Sequence, residues 1–439
     1  MKYVLLLLVV LFSCSKKKQK QSNLIKSIPV FKDSLFVGSK TPYQPNKTFY
    51  VAPPDSLSPF FVAMVARHGS RYMSGPDEDI ALLNLLKISN KLNVLTHKGI
   101  ALLNDIDSLT KIQKNNYGEI NACGRNEHYD LGKNLASKTT SIFDSEYYIT
   151  ANATYKTRTQ ESRAFFLEGM KKQLNKSLTV KKENFKKGSD SILRFHKTNV
   201  EYQNYLSLHP FKIQLDSMKH TIQFKNMVLK IVNDLFIEDE QVRIINSKNL
   251  EIRNGEDEIT INNANDIILS LYECYKIVAS LKAENAPSFH SFFTKEDLQL
   301  LAFISQIESF YEKGIGFPGE NITYEIARPL LNEMINKTNM AISNEMQGAF
   351  LNFAHAETVA PFAVLTGLQH LKPQNKLVQD YYPDFEFIKM ASNVQWLIFK
   401  SKKDNYFIKV LYNEKEMKIS KLKSYNGFYN WNDFKGLFT

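Results

Sequence analysis

The sequence predicts an α/β fold: a central, mostly parallel sheet flanked by helices, with an inserted, mainly α-helical cap domain. Three observations predict it. Short apolar runs at residues 60–66, 147–153 and 348–354 read as buried strands, and each ends in a polar cluster before a helical pattern takes over. Between residues 184 and 336 helical periodicity dominates and convincing strand patterns are scarce. The chain has 439 residues, 43% of them hydrophobic, enough for a large core and two domains and too apolar for a disordered protein.

The organising strand is Phe60-Phe61-Val62-Ala63-Met64-Val65-Ala66, bounded by Pro59 and ending in Arg67-His68-Gly69-Ser70-Arg71. In open α/β sheets ligands bind at the carboxyl ends of the strands. Two guanidiniums flank one imidazole there, and guanidiniums offer donor forks matched to phosphate oxygens. The imidazole could serve as ligand, base or nucleophile. A solvated strand end is the plain alternative, so a second site has to agree.

Before this strand, Met1 to Cys14 reads as a leader. Lys2 supplies a short positive region, and Val4 to Phe12 is apolar but too short to span a bilayer. Leu11-Phe12-Ser13-Cys14 resembles a bacterial lipobox, in which Cys14 would be acylated; an ordinary signal peptide cut nearby is the alternative. The polar, Lys-rich stretch after Cys14 suits a flexible tether, and Pro42, Pro45, Pro53 and Pro54 keep the approach to the strand irregular.

After the strand, Asp77-Glu78-Asp79 opens a helical pattern to about Leu92, with acids where a helix dipole favours them. Further helical patterns cover Ile100 to Lys114 and Arg125 to Ala136. The second strand, Tyr147 to Ala153, runs into Tyr155-Lys156-Thr157-Arg158 and a helix carrying Ser162, Phe165, Phe166 and Met170. Arg158 thus stands at a second strand-to-helix junction. In the helical region the clearest patterns are Ile222 to Phe236, Asp266 to Ala283 and Thr294 to Tyr311, with a hairpin or loop expected in Val242 to Ile261. Gly314 to Gly319 lacks the Lys and Ser/Thr of a phosphate-binding loop and reads as a turn. Ala327 to Met346 is again helical. The third strand, Gly348 to Ala354, ends in His355-Ala356-Glu357-Thr358, and on extended backbone His355 and Glu357 point to one side. An imidazole and a carboxylate there suit phosphate contact and acid catalysis. Val394 to Lys400 and Tyr406 to Tyr412 read as a hairpin, with Trp396 and Phe407 as packing residues.

The formal net charge of +11 is spread over the chain; no long basic stripe points to nucleic acid, while a diffuse positive field favours anionic substrates. Besides Cys14 there are Cys123 and Cys274, which nothing in the sequence requires to pair, and no His/Cys cluster suggests a metal.

Together, Arg67-His68-Gly69-Ser70-Arg71, Arg158 within Lys-x-Arg-x-x-x-Ser and His355-Ala356-Glu357-Thr358 resemble branch 2 of the histidine phosphatase superfamily. The His-Ala-Glu form is similar to the multiple inositol polyphosphate phosphatases within it. Asn126 to Gly132, Ile192 to Phe195, Phe293 to Leu298 and Val410 to Glu414 resemble further family segments, so the likeness runs over roughly residues 50 to 420. Two departures stand out: Tyr72-Met73 replace a proline common after the second arginine, and the segment after Phe195 lacks a cysteine often found there, which puts a family disulfide in doubt.

The resemblance implies a phosphoglycerate-mutase-like core and a two-step phosphomonoester hydrolysis. His68 would be the nucleophile and Glu357 the proton donor. Arg67, Arg71, Arg158 and His355 would hold the phosphoryl oxygens. No metal or other cofactor is expected, because the arginines supply the charge. The implied substrate is a polyphosphorylated small molecule such as phytate. The rival readings are a broad-specificity acid phosphatase and a non-catalytic lipoprotein that binds phosphate esters. The expected organisation is a signal peptide over 1–14, a tether and extension over 15–49, a catalytic domain over 50–183 and 337–439, and a cap over 184–336. The chain is expected to be a monomer anchored by lipid in a bacterial cell envelope.

Overall fold

Strand β1 (Leu57–Arg67) sits inside an eight-stranded sheet and brings the Arg-His-Gly-Ser-Arg cluster to its edge in this computed structural model, which describes residues 36–45, 51–368 and 383–438. Its apolar residues alternate between two cores. Phe61, Ala63 and Val65 face one, and Val62, Met64 and Ala66 the other, as expected of a strand covered on both faces.

The remaining strands are β2 (Tyr148–Ala153), β3 (Val180–Asn184), β4 (Ile252–Arg253), β5 (Ile259–Ile261), β6 (Gly348–Ala354), β7 (Asn393–Ser401), β8 (Tyr406–Tyr412), β9 (Lys415–Glu416) and β10 (Tyr429–Asn430). The sheet order is β10-β8-β7-β1-β6-β2-β3, with β9 on β8 and with β4 and β5 as a separate pair. β1, β6, β2 and β3 are parallel, whereas β7 and β8 form the hairpin expected from the sequence and run antiparallel beside β1. Register places the site: Arg67 lies opposite Ala354, and Ala153 opposite Phe353. Three parallel strands therefore end side by side, and His68, Thr154 and His355 follow them at one edge.

The helical expectations correspond to Glu78–Lys91, His97–Gln113, Ala122–Lys138, Thr157–Leu174, Ile222–Leu235, Ala264–Val278, Lys295–Lys313, Arg328–Ser343 and Ala356–Leu365. Strand β3 was not foreseen. Its sequence Val-Lys-Lys-Glu-Asn is charged and half exposed because it pairs on one side only, with β2. Trp396 is fully buried in the core, as its reading as a packing residue requires.

Core packing does not follow the chain divisions at 184 and 336. Leu82, Leu86, Leu102 and Ile106 share a core with Ile231, Ile267 and Leu301, and among the described residues none of the large sheet enters it. Conversely Leu193, Phe195 and Leu330 pack with the sheet. An amphipathic pattern reveals an apolar stripe but not the neighbour it meets. Cys123 and Cys274 are both free. The leader, Cys14 and the tether through residue 35 lie outside the described residues.

Candidate active site

The site forms where β1 and β6 release their chains. The His68 amide donates to Ala354 O at 2.9 Å, which extends the ladder one residue past the strand end and fixes His68 beside the start of the helix Ala356–Leu365. The imidazoles of His68 and His355 lie edge to face, their centroids 5.6 Å apart.

His68 is buried, and its Nδ1 lies 2.9 Å from Gly69 O. A carbonyl oxygen only accepts, so Nδ1 carries the proton and Nε2 keeps its lone pair. Burial, followed by the charges of Arg158, Arg67 and Arg71, holds the imidazole well below the ordinary histidine range. The ring is thus neutral at physiological pH, with a nucleophilic nitrogen free.

The loop carrying it is held from behind. Gly69 N donates to Ser162 Oγ at 3.0 Å, and Ser162 Oγ donates to Arg158 O at 2.7 Å. Glu127 accepts from Ser70 N at 2.6 Å, Ser70 Oγ at 2.7 Å and Tyr43 N at 2.7 Å. Burial pushes this carboxyl up to about 6, so it is still ionised at neutral pH and its hydrogen bonds are charge-assisted. Next to it His128 Nε2 donates to Arg67 O at 3.0 Å, and burial lowers this imidazole to about 3. The helix Ala122–Lys138 supplying these groups starts against the loop, with Asn121 N donating to Ser70 O at 3.0 Å and Asn121 Oδ1 capping Gly124 N at 2.9 Å. Its approach requires glycine on both sides: a Cβ on Gly69 would lie 2.5 Å from Gly124 O, and one on Gly124 2.0 Å from Ser70 O.

Three guanidiniums crowd His68. Arg67 Nη1 donates to Ser39 O at 2.6 Å and to Ile388 O, and Arg71 Nη1 donates to Tyr72 O at 2.6 Å. The Nε atoms of Arg67, Arg71 and Arg158 have no hydrogen-bond partner among the described residues. Burial and mutual repulsion lower Arg71 to about 9, and burial lowers Arg67 to about 10, so both stay charged at neutral pH. Buried like charges with unused donors are what an incoming dianion would compensate. Glu357 stands in the first turn of the helix Ala356–Leu365. Burial pushes its carboxyl up, yet the Lys313 ammonium, with His196 and His355, outweighs this and holds it below the usual carboxylate range. His355 Nε2 lies 3.1 Å from Thr154 Oγ1. Among the described residues, no group of three or more His, Cys, Asp or Glu side chains is arranged to hold a metal ion.

Residues 60–413 match the histidine phosphatase superfamily (branch 2). The chain belongs to that superfamily. Its fold is similar to the multiple inositol polyphosphate phosphatase of Bifidobacterium longum in complex with inositol hexasulfate, with a TM-score of 0.81 and 23% identity over 92% of this chain and 98% of that one. It is also similar to the phytase from D. castellii, with a TM-score of 0.66 and 18% identity over 97% of this chain and 87% of that one. In sequence it is 22% identical to the thiamine-repressible acid phosphatase of Schizosaccharomyces pombe, over 88% of this chain and 80% of that protein.

In this histidine phosphatase the structure brings all six residues singled out from the sequence to one place. Arg158, His355 and Glu357 line a cavity of about 250 Å³, and the charges of Arg67, Arg71 and Arg158 act directly on His68. Sequence reasoning gave no role to Arg194, His196 or Lys313, which stand in or beside the same cavity. Arg194 fell within a segment noted for its likeness to the family, which was a signal for it. Buried Lys313, paired with Glu312 at 2.7 Å, ends a helix that reads as ordinary amphipathic packing. The Glu127–Ser70 brace also had no spacing signal.

Proposed function

We propose that this histidine phosphatase removes phosphates from inositol polyphosphates through a phosphohistidine on His68. The observation that carries the reading is the tautomer of His68: Nδ1 is tied to Gly69 O and Nε2 is left free among three guanidiniums. Nε2 attacks phosphorus, the N–P bond forms and the P–O bond to the inositol breaks. Arg67, Arg71, Arg158 and His355 bind the phosphoryl oxygens, where fixed charge stabilises the transferring group without solvent reorganisation. An alkoxide is a poor leaving group, and Glu357 gives it a proton. In the free site this carboxyl is held ionised; a phosphate dianion bound beside it opposes that shift, so Glu357 takes up the proton it later gives only with substrate in place. In the second step Glu357 takes a proton from water, water attacks phosphorus, the N–P bond breaks and His68 is regenerated.

The inositol polyphosphate assignment is supported by the Bifidobacterium enzyme and the phytase of similar fold. Phosphate release from inositol hexakisphosphate by the full chain, abolished in His68→Ala, is the expected result. Release from simple esters but not from the hexakisphosphate would favour a broad acid phosphatase, a reading for which the fission-yeast relative speaks. We also propose that the monomeric enzyme is anchored in a bacterial cell envelope through acylated Cys14. The reading is supported by the Leu-Phe-Ser-Cys sequence, and radiolabelled palmitate incorporation lost in Cys14→Ser would test it.

A further inference from the structure

We propose that Asp384 is a positioning residue for Arg67: it ties together the two chain segments whose carbonyl oxygens hold that guanidinium. The inference rests on the reading of Arg67 as a phosphoryl-binding group. Arg67 Nη1 donates to Ser39 O at 2.6 Å and to Ile388 O. One acceptor belongs to the short turn Gly38–Lys40, and the other to the residue that follows the four-residue helix Asp384–Phe387.

Asp384 bridges the two. Its Oδ2 accepts from Ser39 N at 3.1 Å, and its main-chain O accepts from Ile388 N at 3.0 Å. Ser39 and Asp384 stand 345 positions apart, so no local preference of the chain brings them together. The contact is closely fitted. Asp384 is 1% exposed, and Gly38 packs against its carboxylate at φ +51°, where a Cβ would lie 3.0 Å from Asp384 Oδ2. Burial, against the pull of the Lys276 ammonium, pushes the Asp384 carboxyl up to about 6, so it is ionised at neutral pH and its bond to Ser39 N is charge-assisted. The turn is also closed on itself, with Lys40 N donating to Val37 O and Thr41 N to Gly38 O, both at 3.0 Å. It therefore moves as one piece, and Ser39 O follows Ser39 N.

The bridge matters because a guanidinium is a rigid planar fork. The two carbonyl bonds use Nη1 and fix where that nitrogen sits. They leave Arg67 Nε without a partner among the described residues, so the held edge of the fork decides where its free donors point. Carbonyl oxygens bind no phosphate, and Ser39 and Ile388 serve the site only by orienting Arg67. Without the Asp384 carboxylate, Ser39 N loses its acceptor and the turn can carry Ser39 O away from Nη1.

The test follows the Ki of inorganic phosphate in the full chain, with p-nitrophenyl phosphate as substrate. Asp384→Ala should raise that Ki about tenfold, the worth of one charge-assisted hydrogen bond. Gly38→Ala disturbs the same contact from the opposite side and should shift the Ki in the same direction; it carries the test if Asp384→Ala fails to fold. In an Arg67→Ala background either change should alter the Ki by less than about twofold, because the residue through which they act is gone. Equal losses in both backgrounds would mean a general loosening of the site and overturn the proposal, as would an unchanged Ki in either single variant that folds. An unchanged Ki in Arg67→Ala alone would instead overturn the reading of Arg67, and this inference with it.

Discussion

Replacing Gly124 with alanine sets two physical effects against each other. Helix propensity alone favours the change by up to about 1 kcal/mol. Packing opposes it. The new Cβ would lie 2.0 Å from Ser70 O and 2.7 Å from Ser70 N, where ordinary contact begins at 3.4 Å, so helix or loop must retreat by about 1.4 Å (3.4 − 2.0). Neither side yields easily. One is the first turn of a helix, and the other is the loop between His68 and Arg71, held by Glu127 through Ser70 N and Oγ. Overpacking of this kind costs about 1–3 kcal/mol, and a misplacement near 1 Å costs about 10²-fold in rate. Gly124→Ala should therefore lose about 100-fold in kcat on p-nitrophenyl phosphate and gain nothing in the urea midpoint. A variant that is more stable and keeps kcat within about threefold would mean that this helix does not set the geometry of His68.

Other perturbations separate the remaining claims. Glu357→Gln keeps the shape but cannot carry the proton; kcat on alkyl phosphates should fall about 10²- to 10⁴-fold, less on p-nitrophenyl phosphate, with phosphohistidine trapped after an alkaline quench. Equal loss on both esters and no trapped phosphoenzyme would speak against the acid–base role. His128 has a folded pKa of about 3, below its unfolded value, so the unfolded chain takes the proton first and stability drains as pH falls from about 6.5 towards 3. His128→Gln should reduce that slope by about 1.4 kcal/mol per pH unit, read from urea midpoints, and an unchanged slope would contradict the assignment. Trp396 is fully buried, so Trp396→Ala should cost about 3–5 kcal/mol in urea unfolding, and a loss under about 1 would show that the core collapses around the gap.

Much of this molecule was legible in its sequence because the signals are local. Phe60 to Ala66 is a continuous apolar run, and Gly348 to Ala354 is one broken only by Asn352, because both faces of those strands are covered. Arg67, His68, Arg71, His355 and Glu357 follow directly where these strands end, so chain order alone placed them at one edge. What stayed hidden depends on tertiary placement. Strand β3 reads as surface because only one of its edges is paired. Arg194 and His196 reach the cavity from the start of the four-residue helix Phe195–Thr198, and Lys313 from a helix C-terminus, none with a period that marks it. The helix Glu78–Lys91 has the same apolar stripe whether it packs on the sheet or on Ala264–Val278, and only the folded chain shows that it takes the latter.

The position of β1 in the sheet also bears on how the enzyme comes into being. Both neighbours of the strand that presents His68, β6 and β7, belong to residues 348–401. A nascent chain that has made β1 but not residue 348 has a nearly all-apolar strand with two open edges and no phosphate site. Such long-range pairing folds slowly and leaves sticky intermediates. The phosphatase is therefore silent for most of its synthesis, and β1 waits uncovered until its late-made partners arrive.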